Sequence, residues 1–95
     1  MARKLSKAEA VDIAVRDAVT RAGGDANDAR ADASDATFPN SALGAARSGE
    51  MSADMVTAGW TIRVAAGGRA LEYRATPRQV RLVGFDGANH VVFPV

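Results

Sequence analysis

Gly59-Trp60-Thr61-Ile62-Arg63-Val64-Ala65-Ala66-Gly67-Gly68-Arg69-Ala70-Leu71-Glu72-Tyr73-Arg74-Ala75 is the stretch that decides the fold. Trp60, Ile62, Val64 and Ala66 alternate with Thr61, Arg63 and Ala65, and the same period of two returns in Leu71, Tyr73 and Ala75 against Ala70, Glu72 and Arg74. Gly67-Gly68 separates the halves with the two positive-φ residues that a tight hairpin turn demands. The register can be tested from within. If Ala66 faces Arg69, then Val64 faces Leu71, Ile62 faces Tyr73 and Trp60 faces Ala75, so every large apolar side chain falls on one face. Arg63 then opposes Glu72 on the other face, an attractive cross-strand pair worth about 0.2–1 kcal/mol. The reading is an antiparallel hairpin over residues 59–75.

Downstream, Thr76-Pro77-Arg78 interrupts the strand, and Gln79 to Phe85 predicts a third one with Val80 and Leu82 on one face and Arg81 and Val83 on the other. Asp86-Gly87-Ala88-Asn89 is a turn, and residues 90–95 read as a last short strand with Val91 and Phe93 inward. Strands thus occupy 79–95. Val83, Phe85 and Val92 would lie on the opposite face without a second layer, which invites a partner or a second copy. An open C-terminal edge strand is the simplest means of extending a sheet across a dimer.

Upstream, Ser6-Lys7-Ala8-Glu9 is a capping box, and Val11, Ala14, Val15, Ala18, Val19 and Ala22 follow as one apolar stripe. Asp12 and Asp17 precede Arg16 and Arg21 by four residues on the solvent side. Gly23-Gly24 ends the helix, which is placed at 5–23. Its small side chains suit close approach to a flat sheet, and Ile13, off the stripe, is either exposed or touches a second surface. In residues 25–36, Ala29, Ala31 and Ala33 alternate with Arg30, Asp32 and Ser34, which favours a weak edge strand at 29–38 over the competing second short helix. Residues 39–58 are assigned to a loop, with a short helical turn the alternative near its end; Phe38-Pro39-Asn40-Ser41 has chain-reversal chemistry. The sum is a single α+β domain over residues 1–95, an N-terminal helix packed on a three- to five-stranded antiparallel sheet.

Phe38-Pro39-Asn40-Ser41-Ala42-Leu43-Gly44, Gly49-Glu50-Met51, Gly59-Trp60-Thr61-Ile62-Arg63-Val64 and Leu71-Glu72-Tyr73-Arg74 together resemble an uncharacterised bacterial domain family. Its pattern is W-P-D-x-S-L-G-C-P-x-P-G, a spacer, G-[YW]-x-I-x-L, a Gly turn and Y-x-Y-[HR]. The resemblance spans roughly residues 5–83 and implies a helix-on-sheet module of cystatin-like or PepSY-like form with a structured loop at 38–49. It implies no activity. Phe38 and Asn40 stand where the family has Trp and Asp, Ala45-Ala46 stands for Cys-Pro, and a second family Cys is missing near Val83. Their joint absence is what loss of one cross-link would leave.

Composition narrows the function classes. The 95 residues carry 12 Lys+Arg and 11 Asp+Glu for a formal charge of +1, so no global field points to nucleic acid or an anionic membrane. Ala supplies 21 of the apolar positions while Leu, Ile, Val and Phe number 19, so the core is thinly stocked. With no Cys and one His, thiolate chemistry, disulfides and Cys/His metal centres are excluded. Absent Cys and a start, Met1-Ala2-Arg3-Lys4-Leu5, that lacks an apolar signal core make the expected location cytoplasmic, a leader removed beforehand aside.

No catalytic, cofactor-binding or metal-ligating set emerges. His90 reads as a strand-end histidine, Ser41 and Ser48 as turn serines without a base, and Asp25, Asp28, Asp32 and Asp35 as a solvated segment lacking calcium-loop spacing. The expected function is a small non-enzymatic protein-interaction module, with a protein partner or a homo-oligomer, no cofactor, no metal and no membrane. One candidate contact is the 38–49 loop with Phe38, Pro39, Asn40, Ser41 and Leu43, acting in the manner of an inhibitor loop. The other is the sheet face carrying Arg63, Arg74 and Arg81 together with Val92 of the tail strand. The alternatives are a small-ligand-binding or minor enzymatic domain with a pocket between helix and sheet, and binding of an anionic partner such as nucleic acid by the arginine face. Trp60 and Tyr73 fall on the apolar face in the hairpin register, so no stacking platform accompanies those arginines.

Overall fold

The computed structural model describes residues 4–93 and runs α1 (Lys7–Ala22), a short 3-10 turn (Ala26–Asp28), β1 (Arg30–Phe38), β2 (Thr57–Ala66), β3 (Arg69–Thr76), β4 (Gln79–Phe85) and β5 (Ala88–Phe93). The first three residues, and Pro94 and Val95 of the expected last strand, lie outside the described residues. The five strands form one antiparallel sheet in chain order, and α1 lies across one face of it, mainly over β2. This is the helix-on-sheet α+β class that the sequence predicts.

The β2–β3 hairpin pairs Ala66 with Arg69, Val64 with Leu71, Ile62 with Tyr73, Trp60 with Ala75 and Arg63 with Glu72, the register that the alternation requires. Gly67 and Gly68 close it at φ 56° and 76°. Gly67 is needed for a second reason: a Cβ there would collide with the Ala22 carbonyl oxygen, because the end of α1 rests on this turn.

In α1, the Ser6 hydroxyl accepts from the Glu9 N–H at 3.1 Å and the Glu9 carboxylate accepts from the Ser6 N–H at 3.0 Å. The face turned to the sheet is centred on Ala10, Ala14 and Ala18, one residue back from the Val/Ala stripe expected from the sequence. An alanine ridge lets the helix backbone approach the sheet. Val11, Val15 and Val19 then straddle the ridge on one flank and Ile13 on the other, so Ile13 packs against the core edge. The ridge meets Ile62, Val64, Leu71, Tyr73, Val80 and Leu82. Tyr73 is the largest fully buried side chain, and its hydroxyl donates to Asp17 of the helix at 2.8 Å, a carboxylate that also accepts from Arg21 at 2.8 Å. Burial and then the Asp17 bond push the Tyr73 phenol above its ordinary range.

Residues 30–38 form a strand, not a second helix. Asp25 accepts from the Asn27 N–H at 2.9 Å to cap the 3-10 turn, after which pairing places Asp32 beside Arg63, Ala33 beside Ile62 and Asp35 beside Trp60. As an edge strand of small side chains, β1 stays largely exposed.

β4 and β5 depart from simple alternation. Their register shifts between Val80 and Arg81 and again between Leu82 and Phe85, so Val80 pairs with Phe93, Arg81 with Val91 and Leu82 with His90. A one-residue bulge reverses the side-chain parity beyond it. Phe85 therefore sits on the helix side, its ring beneath Arg69 at 4.3 Å, and Val92 and Phe93 pack against the helix-side core. Val91 shares the opposite face with Arg81. The expected outward Phe85 and Val92 and inward Val91 are corrected accordingly.

Candidate functional site

The face of the sheet away from α1 is not bare. Residues 39–50, here called the strap, fold over β3, β4 and β5, burying Ala42, Leu43 and Ala45 alongside Phe38. Asn40 organises the first turn: its Oδ1 accepts from the Ala42 and Gly44 N–H groups, both at 3.0 Å. That holds Leu43 at φ 60°, a left-handed conformation costing about 1 kcal/mol or more.

Two arginines fasten the strap. Arg74 and Arg81 stand opposite each other on β3 and β4, a like-charge pair that would repel if left alone. Arg74 Nη1 donates to the Leu43 and Gly44 carbonyls at 2.9 and 3.2 Å, and its Nε donates to Glu72 at 3.2 Å. Arg81, only 5% exposed, donates through Nη1 and Nη2 to both oxygens of Glu50 at 2.6 and 2.7 Å and through Nε to Gln79 at 2.7 Å. Its Nη1 also reaches the Ala45 carbonyl at 3.3 Å. The Arg81 hydrogen bonds, then the Arg47 N–H, hold the Glu50 carboxyl down at about 2 against the opposing effect of burial. Gln79 Nε2 donates to the Ser41 carbonyl at 2.8 Å, and Asn89 Nδ2 donates to the Ala46 carbonyl at 2.9 Å.

The sequence-predicted contact residues are therefore mostly spent inside the fold. Phe38 and Leu43 are buried, so the 38–49 loop does not project as an inhibitor loop: its apolar side chains fill the space behind the sheet. Pro39 is exposed, whereas Asn40 and Ser41 are half-buried and engaged in the strap's own hydrogen bonds. Arg63, Arg74 and Arg81 do share a face, but Arg81 is buried in its ion pair and Arg74 is half-buried under the strap. Only Arg63 remains an exposed cation there, which removes the arginine-lined surface the anionic-partner reading needs. Val92 is half-buried against the helix-side core. His90 lies edge-on to Phe85, ring centroids 6.2 Å apart, with Nε2 3.4 Å from the Phe85 carbonyl oxygen.

The surface feature that sequence reasoning missed follows the strap. Residues 51–56 run to β2 without regular structure and carry Met51 at 94%, Met55 at 55% and Val56 at 75% exposure, the large apolar side chains most open to solvent among the described residues. The segment is nonetheless held in place. Ser41 donates its N–H to the Ala53 carbonyl at 2.9 Å, and its hydroxyl accepts from the Ala53 N–H at 2.7 Å. Arg81 fixes Glu50 immediately before it, and β2 pairing fixes Thr57 immediately after. The signal was present in the sequence as three large apolar residues in a stretch otherwise read as loop.

Between α1 and the sheet the space is filled by Tyr73, Leu82 and their neighbours, and the concavities of the molecule open at its ends instead. Among the described residues, no group of three or more His, Cys, Asp or Glu converges on a common point, and no helix is long and apolar enough to cross a membrane.

The architecture defines a small α+β domain whose sheet is covered by a helix on one face and by a latched strap on the other. The chain belongs to a family described as Domain of unknown function (DUF8738), whose model matches residues 11–83, from within α1 to β4. No curated protein and no solved structure matches it.

Proposed function

We propose that this domain is a non-enzymatic protein-interaction module whose contact surface is the segment 51–56. The observation that carries this reading is the exposure of Met51, Met55 and Val56 on a segment anchored at both ends and at Ala53. Apolar side chains cost free energy in water, and a domain poor in core residues that leaves three of them outside loses stability it would gain by burying them. Anchoring removes much of the ordering entropy that a free loop would lose on binding. The partner is a protein, either foreign or a second copy of the chain. The strap fits this role as a brace, with Asn40 accepting from the Ala42 and Gly44 N–H groups.

Photo-cross-linking tests the reading. A benzophenone amino acid at Met51 or Val56 in living cells is expected to yield adducts of discrete mass, a doubled mass marking a second copy. The same probe at Arg16, exposed on α1, is expected to yield none. Equal labelling from both sites would overturn the proposal.

A further inference from the structure

Two open concavities lie at the end of the sheet where α1 begins, and one of them reaches Met55 of the segment 51–56. One, of about 590 Å³, is lined by Asp35 and Ala36 of β1, Ala58 and Trp60 of β2 and Pro77 of the β3–β4 turn. The other, of about 360 Å³, is lined by Lys4, Met55, Ala58, Pro77 and Arg78. Ala58 and Pro77 border both, so the two are neighbouring compartments that one extended ligand could span as a groove. Its wall is fixed where the Leu5 N–H donates to the Pro77 carbonyl at 2.6 Å. The lining is mostly apolar, with Met55, Trp60, Ala58 and Pro77 beside Thr37, Thr57 and Thr76, and its charged residues are Asp35 in one concavity and Lys4 and Arg78 in the other.

The two ends are unlike. Lys4 and Arg78 sit together at one end with no ion pair among the described residues. At the other end Asp35 already has a counter-ion, Lys7 at 3.7 Å. A ligand that fits must be long enough to cross from one lining set to the other, apolar along its middle and anionic at one end.

We infer that the groove takes an extended peptide with an acidic residue at one end and apolar residues along the rest, the carboxylate lodging between Lys4 and Arg78 and the apolar side chains lying on Met55, Pro77 and Trp60. The inference rests on the interaction-module reading and deepens it by naming the chemistry of the partner segment. Charge complementarity selects an acidic ligand and the apolar floor selects one with side chains to bury. An anionic bilayer is a poorer fit, because the surface is concave and Asp35 lines it. Two free cations are too few to hold a polyanion such as nucleic acid at physiological salt.

The test pans a random dodecamer peptide library against the full chain and measures the enriched peptides by titration calorimetry. The chains compared are the parent, the charge-reversed Lys4→Glu/Arg78→Glu chain and the polar Met51→Ser/Val56→Ser chain, each checked for an unchanged melt. All four positions are exposed, so folding is expected to survive. Expected are peptides with Asp or Glu beside apolar residues, and a loss of about tenfold or more in affinity on charge reversal, the scale of two rim ion pairs. Enriched peptides lacking acids, insensitive to charge reversal but weakened by Met51→Ser/Val56→Ser, would overturn this inference and leave the interaction-module reading standing. No enrichment would also overturn it. Binding of the parent chain to phosphatidylserine-containing vesicles, abolished by charge reversal, would assign the groove to lipid and overturn both.

Discussion

On one face of the sheet, Ile62, Val64, Leu71, Tyr73, Val80 and Leu82 meet an alanine ridge and almost every contact is apolar; on the other, the strap is held by guanidinium, carboxamide and carboxylate groups from Arg74, Arg81, Gln79, Asn89 and Glu50. The helix side is distributed: many buried side chains share the apolar contact, so no single directional bond holds it. The strap side is directional and depends on a few bonds. A chain short of large apolar residues can still cover a second face if it fastens the cover with charged hydrogen bonds, and the result is a surface segment held rigidly at single points.

The largest effect that would sharpen this contrast is Tyr73→Ala, expected to cost about 3–5 kcal/mol in urea unfolding because it empties the centre of the core. Tyr73→Phe, which removes only the bond to Asp17, is expected to cost about 1 kcal/mol. Next comes Arg81→Ala, at about 3 kcal/mol, because it leaves the strap's half-buried Glu50 carboxylate without its partner. The double variant with Glu50→Ala is expected to lose less than the sum of the two single losses; additivity in the double-mutant cycle would break the claim that the pair is the latch.

How far the sequence disclosed these two sides follows the same division. The β2–β3 register was readable residue by residue, since a period of two with Gly67-Gly68 between the halves admits a single solution that keeps Trp60, Ile62, Val64, Leu71 and Tyr73 together. The helix start was readable from Ser6 and Glu9, and its inward face only to within one residue, because alanine ridges and valine flanks carry similar hydropathy. The strap was not readable as a layer. Hydrogen bonds to main-chain carbonyls leave no periodic trace, though a lone Arg81 amid Val80, Leu82 and Val83 was a sign that something charged would cover it. Gly84 inside a strand marked the parity change that turned Phe85 inward, a cue that strict alternation overrides.

Acid provides a milder test of the same contrast. Glu50 has its folded pKa depressed to about 2 from 4.5, so its contribution is full above pH 4.5 and is lost as pH falls toward 2. Amide exchange at residues 41–53 is expected to accelerate in that window while amides of β2 and β3 keep their protection; simultaneous loss of both would break the distinction between the two faces. A further small effect is expected from Asn40→Ala, about 1 kcal/mol in urea unfolding, since both lost N–H bonds lie near the surface where water replaces them in part.

The meander order of the sheet has a kinetic consequence. Every strand pairs with its neighbour in the chain, so pairing can spread in both directions from the Gly67-Gly68 turn by short steps. The exception is β1 with β2, which must first close the loop of residues 39–56. Strap formation is therefore expected after the rate-limiting barrier, which the folding and unfolding rates of Arg81→Ala test. Weakening the latch should then quicken unfolding and leave the refolding rate nearly untouched, so the lifetime of the covered back face, more than its formation, is what Arg81 and Glu50 govern.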